Sequence, residues 1–376
     1  MKVAIIGGGI GGMAAAIALR LRGIDIDIYE QAARFEEVGA GVQISPNGYK
    51  VLDALGVAAD VEAASFEPET IDMVQGTSGK QIVSIPIKQI ARKRWGSPYL
   101  HLRRSALHDA LVARAGAIGV VTHLNTRVEV DQHKSLEADV IIGADGAHSA
   151  IRNRLFHTSP ARFSGMTAWR AVVPTDRLSA LPPMGATAWA AQNIHAVTTW
   201  IDSGNSVNFV GISEGTWQDA DWNGVADEGE VEEFFAAFAP PVREVISKAE
   251  NIRKWALFDH DPLYMLARDN LALIGDAAHP MMPSLAQGAV MALEDAWVLA
   301  ACIAGDPAQG LATYSANRLP RVTRVQKESM FSLQRFHRHG MVQKTEQLGA
   351  TMIDKIYPSY FVRRLDWLYG LDVTGA

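Results

Sequence analysis

The feature that most constrains this fold is a glycine-rich turn that begins at the seventh residue. Gly7-Gly8-Gly9-Ile10-Gly11-Gly12 follows the apolar run Lys2–Ile6, which predicts a buried strand, and leads into the helical pattern Gly12–Arg22. At such a junction the spacing GxGxxG gives a tight turn, close backbone approach and close packing of helix on strand. Because the start of a helix offers free N–H groups to a pyrophosphate, we expect a dinucleotide here.

An acidic residue completes this nucleotide-binding unit. Asp25–Tyr29 predicts a second strand, and Glu30 follows it, 23 residues after Gly7. A carboxylate at this position accepts hydrogen bonds from ribose hydroxyls and disfavours a 2′-phosphate. The chain contains a single GxGxxG turn.

Composition excludes several classes of function. The 376 residues include 35 Lys and Arg against 41 Asp and Glu, a net charge of −6, which gives no basic field for nucleic acid or an anionic membrane. The basic run Lys88–Arg94 is short and is expected to be a solvated face. Cys302 is the single cysteine, so we expect no disulfide, no cysteine-rich metal site and no dithiol redox pair. Without a recognisable signal or membrane-spanning run, a cytoplasmic location is expected.

The distal part of the chain favours FAD over NAD as the bound dinucleotide. The buried strand Leu271–Ile274 is predicted to end in Gly275-Asp276, and Gln287-Gly288-Ala289 opens the predicted helix Ala289–Ala304. A carboxylate at a strand end can accept hydrogen bonds from the ribityl chain. A helix N-terminus can face the flavin pyrimidine and favour negative charge on the reduced ring.

Three motifs in order carry a resemblance to a known family. Besides the first turn with Glu30 and the Gly275–Gly288 region, the chain contains Asp145-Gly146-Ala-His-Ser149-Ala-Ile-Arg152. Together they resemble the single-component, FAD-dependent aromatic hydroxylases of the p-hydroxybenzoate hydroxylase type, over nearly the whole chain. Within that family the chain looks most like 6-hydroxynicotinate 3-monooxygenase, 3-hydroxybenzoate 6-hydroxylase and salicylate hydroxylase. The shared local stretches are Gly39–Asn47, Tyr99–His108 and Asp366–Gly370.

The element pattern and the resemblance predict an α/β fold. We expect a Rossmann-like FAD-binding domain with an inserted β-sheet substrate domain and a helical C-terminal region. The predicted FAD-binding domain comprises residues 1–70, 97–160 and 265–310, the substrate domain 71–96 and 161–264, and the helical region 311–376.

The resemblance implies a monooxygenase. NADH or NADPH would reduce FAD, and O2 would then give a flavin hydroperoxide that hydroxylates a small hydroxybenzoate- or hydroxynicotinate-like acid. The residues implied in cofactor binding are Gly9, Gly12, Glu30 and Gln31 for the ADP half, Arg104 for the phosphates or ribityl chain, Val128 for the adenine, Asp145 for FAD and the transient nicotinamide, Asp276 for the ribityl chain, and Gly288 and Ala289 for the flavin O2 side.

Two residues are candidates for work on the substrate. His195 matches a histidine that related hydroxylases place near the ring substituent, ahead of the predicted strand Ala196–Ile201. It is the candidate base, because a histidine pKa lies near working pH. Gln43 stands where the hydroxynicotinate enzymes carry a histidine, and its neutral amide can orient a substrate but cannot act as a base. Among the other histidines we expect a structural role for His279, scaffold positions for His101 and His108, and surface positions for His337 and His339.

Because the chain differs from the hydroxynicotinate enzymes at several positions, its sequence does not decide which aromatic substrate it takes. The chain has Thr199 where they carry a tyrosine, and Pro283-Ser284-Leu285 lacks their histidine. One alternative is a flavin hydroxylase of a larger ring, such as a quinolone, indole or polyketide. Another is a flavin-binding sensor without turnover. A homodimer through the helical tail is a further possibility from the sequence.

Overall fold

The computed structural model describes residues 1–35, 40–156, 158–217, 223–338 and 340–375. Its strands are β1 (Lys2–Ile6), β2 (Asp25–Tyr29), β3 (Gly41–Ile44), β4 (Ile71–Gln75), β5 (Gln81–Ile85), β6 (Leu100–Arg103), β7 (Val121–His123), β8 (Val140–Gly143), β9 (Arg162–Pro174), β10 (Ala186–Ala191), β11 (Ile194–Ile201), β12 (Ser206–Glu214), β13 (Asn223–Val225), β14 (Arg253–Asp259), β15 (Ala267–Arg268) and β16 (Leu271–Leu273). Its helices are α1 (Ile10–Arg20), α2 (Pro46–Leu55), α3 (Ala58–Ala63), α4 (Ile87–Trp95), α5 (Arg104–Ala117), α6 (Ala150–Leu155), α7 (Glu228–Phe235), α8 (Pro240–Lys248), α9 (Gly288–Gly305), α10 (Gly310–Phe336), α11 (Gly340–Ile356), α12 (Ser359–Arg363) and α13 (Asp366–Tyr369).

The first sheet carries the nucleotide turn. Its six strands lie in the order β15-β16-β8-β1-β2-β7, and all neighbours except β15 and β16 are parallel. Strand β1 is central and almost entirely apolar, as expected for a parallel strand covered on both faces. Helix α1 packs against α9 and α5 over this sheet. The carboxyl ends of β1, β8 and β16 therefore meet at one edge, which is where ligands bind in such sheets.

The second sheet has eight strands in the order β13-β14-β9-β12-β11-β10-β4-β5, and its pairs are antiparallel except for β10 with β4. Its side chains alternate between two faces, as the pleat requires. Trp169 and Phe209 on one face pack against α7 and α8. On the opposite face Ala168 and Ile212 pack with Met282, from the loop before α9, and with α10. We use the name inner face for this second face, which packs against the loop before α9.

Small elements join the two sheets. Strands β3 and β6 form an antiparallel pair, and the backbone N–H of Gly41 in β3 donates to the side chain of Asn208 in β12 (2.8 Å). In the described part of the chain α9 alone is long and apolar enough to span a membrane, and over half of it is buried inside the fold. The basic run lies on α4, where Lys88, Arg92 and Arg94 form exposed ion pairs with acidic residues.

The elements follow the sequence predictions with local differences. The expected α/β fold, with a parallel sheet, an inserted second sheet and a helical C-terminal region, is confirmed. Helix α1 begins at Ile10 rather than Gly12, because Gly9 already serves as its N-cap. His195 lies inside β11, whereas the sequence analysis placed it just before that strand. The predicted domain boundaries stay a prediction.

Candidate active site

The glycine turn leaves space where a phosphate would approach. A Cβ on Gly12 would lie 2.0 Å from the carbonyl oxygen of Gly7, so only glycine lets the turn close against the helix. Gly7 itself has a φ of +107° and lies close to the backbone of Ala144, at the end of β8. At Gly9, by contrast, a Cβ would meet no atom of the described residues within 4 Å. The start of α1 therefore faces open space, as anion binding requires.

Glu30 is held in place at the end of β2. Its carboxylate accepts hydrogen bonds from the backbone N–H groups of Gly8 (2.7 Å) and Ala32 (2.8 Å). Each carboxylate oxygen keeps a second lone pair for a ribose hydroxyl. Gln31 follows as an exposed residue, and Val128 lies half-buried against the main core. His108 supports the same turn, since its Nε2 lies 2.7 Å from the carbonyl oxygen of Gly8.

The motif Asp145–Arg152 connects the carboxyl ends of β8 and β16 through hydrogen bonds. Ser149 caps α6 by accepting the N–H of Arg152 (2.9 Å). The Arg152 guanidinium donates to the carbonyl oxygens of Ala147, Asp276 and Ala277. Among the described residues, the buried atoms Oδ1 of Asp145 and Nε of Arg152 have no hydrogen-bond partner. Since buried polar groups are normally satisfied, these atoms indicate a ligand at this edge.

Asp276 lies next to the start of α9. It occupies the turn Gly275–Ala277 directly after β16, and its Oδ1 is 3.7 Å from where a Cβ on Gly288 would be. Gly288 is the first residue of α9 and Ala289 the second. A ligand here therefore meets a carboxylate and the positive end of a helix dipole together.

A buried charge network holds this turn from behind. We use the name charge network for Glu294 and Asp295 on α9, Arg318 and Arg321 on α10, and His279. Asp295 accepts from Gly275 N (3.0 Å), from His279 and from Arg318 Nε (2.7 Å). Glu294 accepts from Arg318 and Arg321 and from the amide of Asn47. Every carboxylate oxygen in the network is thus bonded.

The pKa values in the network reflect this pairing. Burial opposes ionisation of Asp295, but the contacts with His279 and Arg318 outweigh it and lower the Asp295 pKa to about 2. Burial likewise opposes ionisation of Glu294, yet Arg318 and Arg321 hold its pKa below the usual range. The carboxylates of Glu294 and Asp295 are therefore ionised, and the bond from Gly275 N to Asp295 holds the turn that carries Asp276.

Arg170 is a candidate ligand-binding residue that the sequence analysis missed. It lies on the inner face of β9, two residues after Ala168, and its buried Nε has no hydrogen-bond partner among the described residues. Burial lowers the pKa of Arg170 and nearby Arg104 lowers it further, while Asp276 acts in the opposite direction. Arg104 is the first residue of α5. The signal that could have revealed Arg170 is a lone charge inside the apolar strand sequence Met166–Val173.

The inner face also carries His195. This histidine is buried, stacks on Phe336 of α10 (ring centroids 4.7 Å apart), and its Nδ1 lies 2.9 Å from Nε2 of His337. Burial and then the neighbouring His337 lower the pKa of His195 to about 3. The expectation of a pKa near working pH is therefore wrong. His337 is buried rather than on the surface, whereas His339 lies outside the described residues.

Gln43 is separate from His195. Its side-chain oxygen accepts a hydrogen bond from the hydroxyl of Tyr99, and it pairs across the strands with buried His101. No hydrogen bond joins Gln43 to His195 within the described parts of the chain. Gly39, the first residue of the Gly39–Asn47 stretch, lies outside the described residues.

The site as a whole fits FAD. We use the name ligand face for the groups that surround the carboxyl ends of β1, β8 and β16 and the inner face of the second sheet: Asp145, Arg152, Arg170, His195 and Asp276. Three of these residues present buried atoms that lack a partner in the described structure. No cluster of three His, Cys, Asp or Glu residues suited to a metal ion occurs among the residues described.

Comparisons with known proteins agree with this site. The sequence profile of the FAD binding domain family matches residues 1–329. The chain is 35% identical to a 3-amino-4-hydroxybenzoate 2-monooxygenase of Streptomyces platensis, over 99% of this chain and 96% of that protein. It is 33% identical to a 3-hydroxybenzoate 6-hydroxylase of Klebsiella oxytoca, over 98% and 96%. The crystal structure of Klebsiella pneumoniae HpxO in complex with FAD and uric acid has a TM-score of 0.82 and 25% identity, covering 95% of this chain and 94% of that one.

Proposed function

This chain belongs to the FAD binding domain family and is an FAD-dependent aromatic monooxygenase, and we propose that it hydroxylates a small hydroxylated aromatic acid with NADH or NADPH and O2. The names of the relatives, which act on an aminohydroxybenzoate and a hydroxybenzoate, support a benzoate-like acid. A hydroxynicotinate-like acid is the closest variant of the same proposal.

One observation carries the substrate assignment. Arg170, on the second sheet, and Asp276, on the turn before α9, lie close enough to interact electrostatically. Asp276 belongs to the flavin side, while Arg170 projects from the opposite wall with an unsatisfied Nε. A guanidinium in a partly dry site is suited to a carboxylate. We assign Arg170 to the acid group of the substrate.

The cofactor residues are proposed from the same arrangement. When bound, FAD would accept electrons from the nicotinamide and would activate dioxygen. The chain holds and orients it: the ADP half with Gly9, Gly12, Glu30, Gln31 and Val128, the phosphates or ribityl chain with Arg104, Asp145 and Asp276, and the ring with Gly288 and Ala289. Open space at Gly9 and the unsatisfied Asp145 support this assignment.

The inner face would orient and activate the aromatic ring. Met166, Ala168, Ile212 and Met282 form an apolar cluster beside His195 that keeps water away from the reaction. We assign to His195 the role of accepting the phenolic proton of the substrate. Gln43, whose amide oxygen is taken by Tyr99, keeps its N–H donors to orient the ring or its substituents.

The test is flavin reduction under anaerobic conditions with NADH and with NADPH, across hydroxybenzoates, aminohydroxybenzoates, hydroxynicotinates and quinolones. We expect one small acid to accelerate reduction strongly and to be hydroxylated when O2 is admitted. Acceleration by quinolones alone would replace this substrate class with larger rings. FAD binding with no reduction under any condition would favour a sensor.

Arg170 gives a sharper test of the acid group. We expect Arg170→Met to retain FAD but to weaken binding of the accelerating acid by roughly 10–100-fold, the loss of one charged hydrogen-bonding partner. The primary amide of that acid should bind equally to both proteins. Arg177→Met, which removes an exposed arginine paired with Glu250 on the same sheet unit, is the matched control. Equal losses for acid and amide would contradict the assignment.

Assembly and location are also proposed. Helix α11 exposes Met341, Leu348, Met352 and Ile356, which recur at helical spacing and form an apolar stripe. Such a stripe can bury apolar surface against its own copy, so we propose a homodimer, to be tested by light scattering of wild type and Met352→Lys. The need for NADH or NADPH supports a cytoplasmic location, which fractionation of cells would test.

A further inference from the structure

Three titratable side chains connect the inner face of the second sheet to solvent. His195 Nδ1 lies 2.9 Å from Nε2 of His337, and His337 Nδ1 lies 3.5 Å from a carboxylate oxygen of Glu214. Both imidazoles are almost completely buried, whereas the Glu214 side chain is 39% exposed. The three groups belong to β11, the end of α10 and β12, so the fold brings them together from separate parts of the chain.

The geometry allows an arrangement of protons in which every donor points toward Glu214. If His337 donates its Nδ1 proton toward the Glu214 carboxylate, its Nε2 is an acceptor, and His195 donates its Nδ1 proton to it. The Nε2 of His195 is then an acceptor, and the hydrogen bond that this ring makes among the described residues is at Nδ1. Phe336 stacks on one side of the His195 ring and restricts its rotation. His195 therefore offers its lone pair away from His337.

We propose that His195, His337 and Glu214 form a proton relay that carries the phenolic proton of the substrate to solvent. The proposal rests on the function assigned to His195 above. The substrate O–H bond breaks as an N–H bond forms at His195 Nε2, and the Nδ1 proton of His195 passes to His337 Nε2. The Nδ1 proton of His337 then passes to Glu214, which releases it to water. No electrons are exchanged, and the substrate is left as a phenolate.

Burial explains why His195 needs partners. The low pKa of His195, caused by burial and by His337, means that it cannot hold a proton for long at neutral pH. A single buried imidazole would return the proton to the phenolate. Transfer to a half-exposed carboxylate removes the charge from the interior, and the 3.5 Å step to Glu214 is short enough for a small rotation or one water to complete.

Among the described residues, the charged side chains next to His337 in the sequence face solvent or an ion-pair partner. Arg335, in the last turn of α10, is exposed, and Arg338 forms an ion pair with Glu346 of α11. Gln343 of α11 donates to the carbonyl oxygen of Ala191, close to His195 in the strand turn, and carries no charge. Glu214 places a carboxylate oxygen 3.5 Å from His337 Nδ1.

The experiment uses FAD-loaded enzyme and 3-hydroxy-4-nitrobenzoate, an aromatic acid whose phenolate absorbs visible light, at a pH below the phenol pKa of the free ligand so that the ligand arrives with its phenolic proton. Rapid mixing measures phenolate formation, and a pH indicator in weak buffer measures the released proton. We expect Glu214→Gln and His337→Gln to slow both signals by about tenfold or more, while the dissociation constant of the ligand changes little. Glu214→Asp, which restores a carboxylate, should recover part of the rate.

Glu250→Gln is the matched control, since it removes a surface carboxylate from the same sheet unit without touching His337. Formate should also accelerate proton release in Glu214→Gln, which a purely structural role would not produce. Unchanged rates in both Glu214→Gln and His337→Gln would overturn the relay and leave the proposed function intact. If wild type binds the ligand without ionising it, the role of His195 itself is wrong, and the relay with it. Because Glu214 is half-exposed, its variant tests the proposal even if His337→Gln fails to fold.

Discussion

The charge network and the ligand face lie on either side of the same turn, Gly275–Ala277, and treat polar groups in opposite ways. In the network, the carboxylates of Glu294 and Asp295 are buried and every oxygen is hydrogen-bonded within the protein. On the ligand face, Asp145, Arg152 and Arg170 present buried atoms with no partner in the described structure. Behind the cofactor turn the protein thus satisfies its carboxylates and guanidiniums, and of the described network atoms only Nδ1 of His279 is buried without a partner. In front of the turn it leaves a carboxylate and two guanidiniums with open positions.

The difference separates two uses of buried charge. Paired buried carboxylates fix geometry, and their cost appears only when a partner is removed. An unpaired buried atom costs free energy in the protein alone and recovers it when a ligand supplies the missing bond. Substitutions in the network should therefore affect stability first, and substitutions on the ligand face should affect binding first.

The largest effect is expected from Arg318→Ala in the charge network. Removing this guanidinium leaves Glu294 and Asp295 buried with fewer cations, so the free energy of unfolding should fall by about 3–5 kcal/mol. Denaturant titration of the FAD-loaded protein measures it. Arg324 lies on the same helix as Arg318, but it stacks on the ring of Trp367 instead of pairing with buried carboxylates. Arg324→Ala should therefore lower the free energy of unfolding far less. Equal losses in the two variants would remove the distinction between network and surface.

Asp276→Ala should show the opposite profile, because Asp276 belongs to the ligand face. We expect FAD affinity to fall by roughly 10–150-fold, as for one lost charge-assisted hydrogen bond. The apoprotein should keep the wild-type free energy of unfolding, since Asp276 is anchored by its backbone carbonyl to Arg152. Flavin fluorescence during titration measures the affinity. A loss of apoprotein stability as large as that of Arg318→Ala would place Asp276 in the scaffold instead.

Two glycines of the first turn show the same contrast between scaffold and ligand-binding positions within a few residues. Gly12→Ala places a Cβ 2.0 Å from the carbonyl oxygen of Gly7, so we expect it to cost roughly 1–3 kcal/mol of stability. Gly9→Ala meets no described atom within 4 Å, and its extended backbone suits any residue, so the apoprotein should be unaffected. Its FAD affinity should still fall, because the added methyl group occupies the open space through which a phosphate reaches the start of α1. Equal stability of the two apoproteins would contradict this reading of the turn.

The scaffold was more accessible from sequence than the ligand face. Strands β1 and β2 lie at the residues that hydrophobic pattern and turn residues predict, because these signals are local. The glycine turn and Glu30 are equally local. Asp276 and Gly288 could be assigned because a strand end and a helix start have fixed electrostatic properties wherever they occur.

Residues whose role depends on distant partners could not be assigned. The sequence around His337 is polar, which predicts a surface position, yet packing against β11 buries it beside His195. The pKa of His195 likewise depends on burial that no local pattern contains. Arg170 was detectable in principle as a lone charge in an apolar strand, but its unsatisfied Nε emerges only from the three-dimensional arrangement.

The smallest expected effect is on how the free energy of unfolding depends on pH. Three buried or half-buried histidines near the interior surfaces of the second sheet and the cofactor edge have lowered pKa values: His101 and His195 at about 3 and His260 at about 4, chiefly through burial. As pH falls below 6.5, the unfolded chain binds protons that the folded chain excludes, so stability decreases toward pH 3–4. The lowered pKa of Asp295 acts later: its stabilisation is present above about 3.8 and is lost as pH falls through about 2.

His195→Gln isolates one of these groups while keeping a side chain that can bond to His337. Each excluded proton contributes about 1.4 kcal/mol per pH unit, so this variant should flatten the dependence of unfolding free energy on pH by about that amount between pH 6 and 4. Ile212→Val, a neighbour on β12, should lower stability by about 1 kcal/mol at every pH, without changing the slope. Denaturant titrations at half-unit intervals of pH would show it. If His195→Gln follows the wild-type slope, His195 accepts a proton in the folded protein near neutral pH, and it would act as a base that stores the proton rather than one that passes it on.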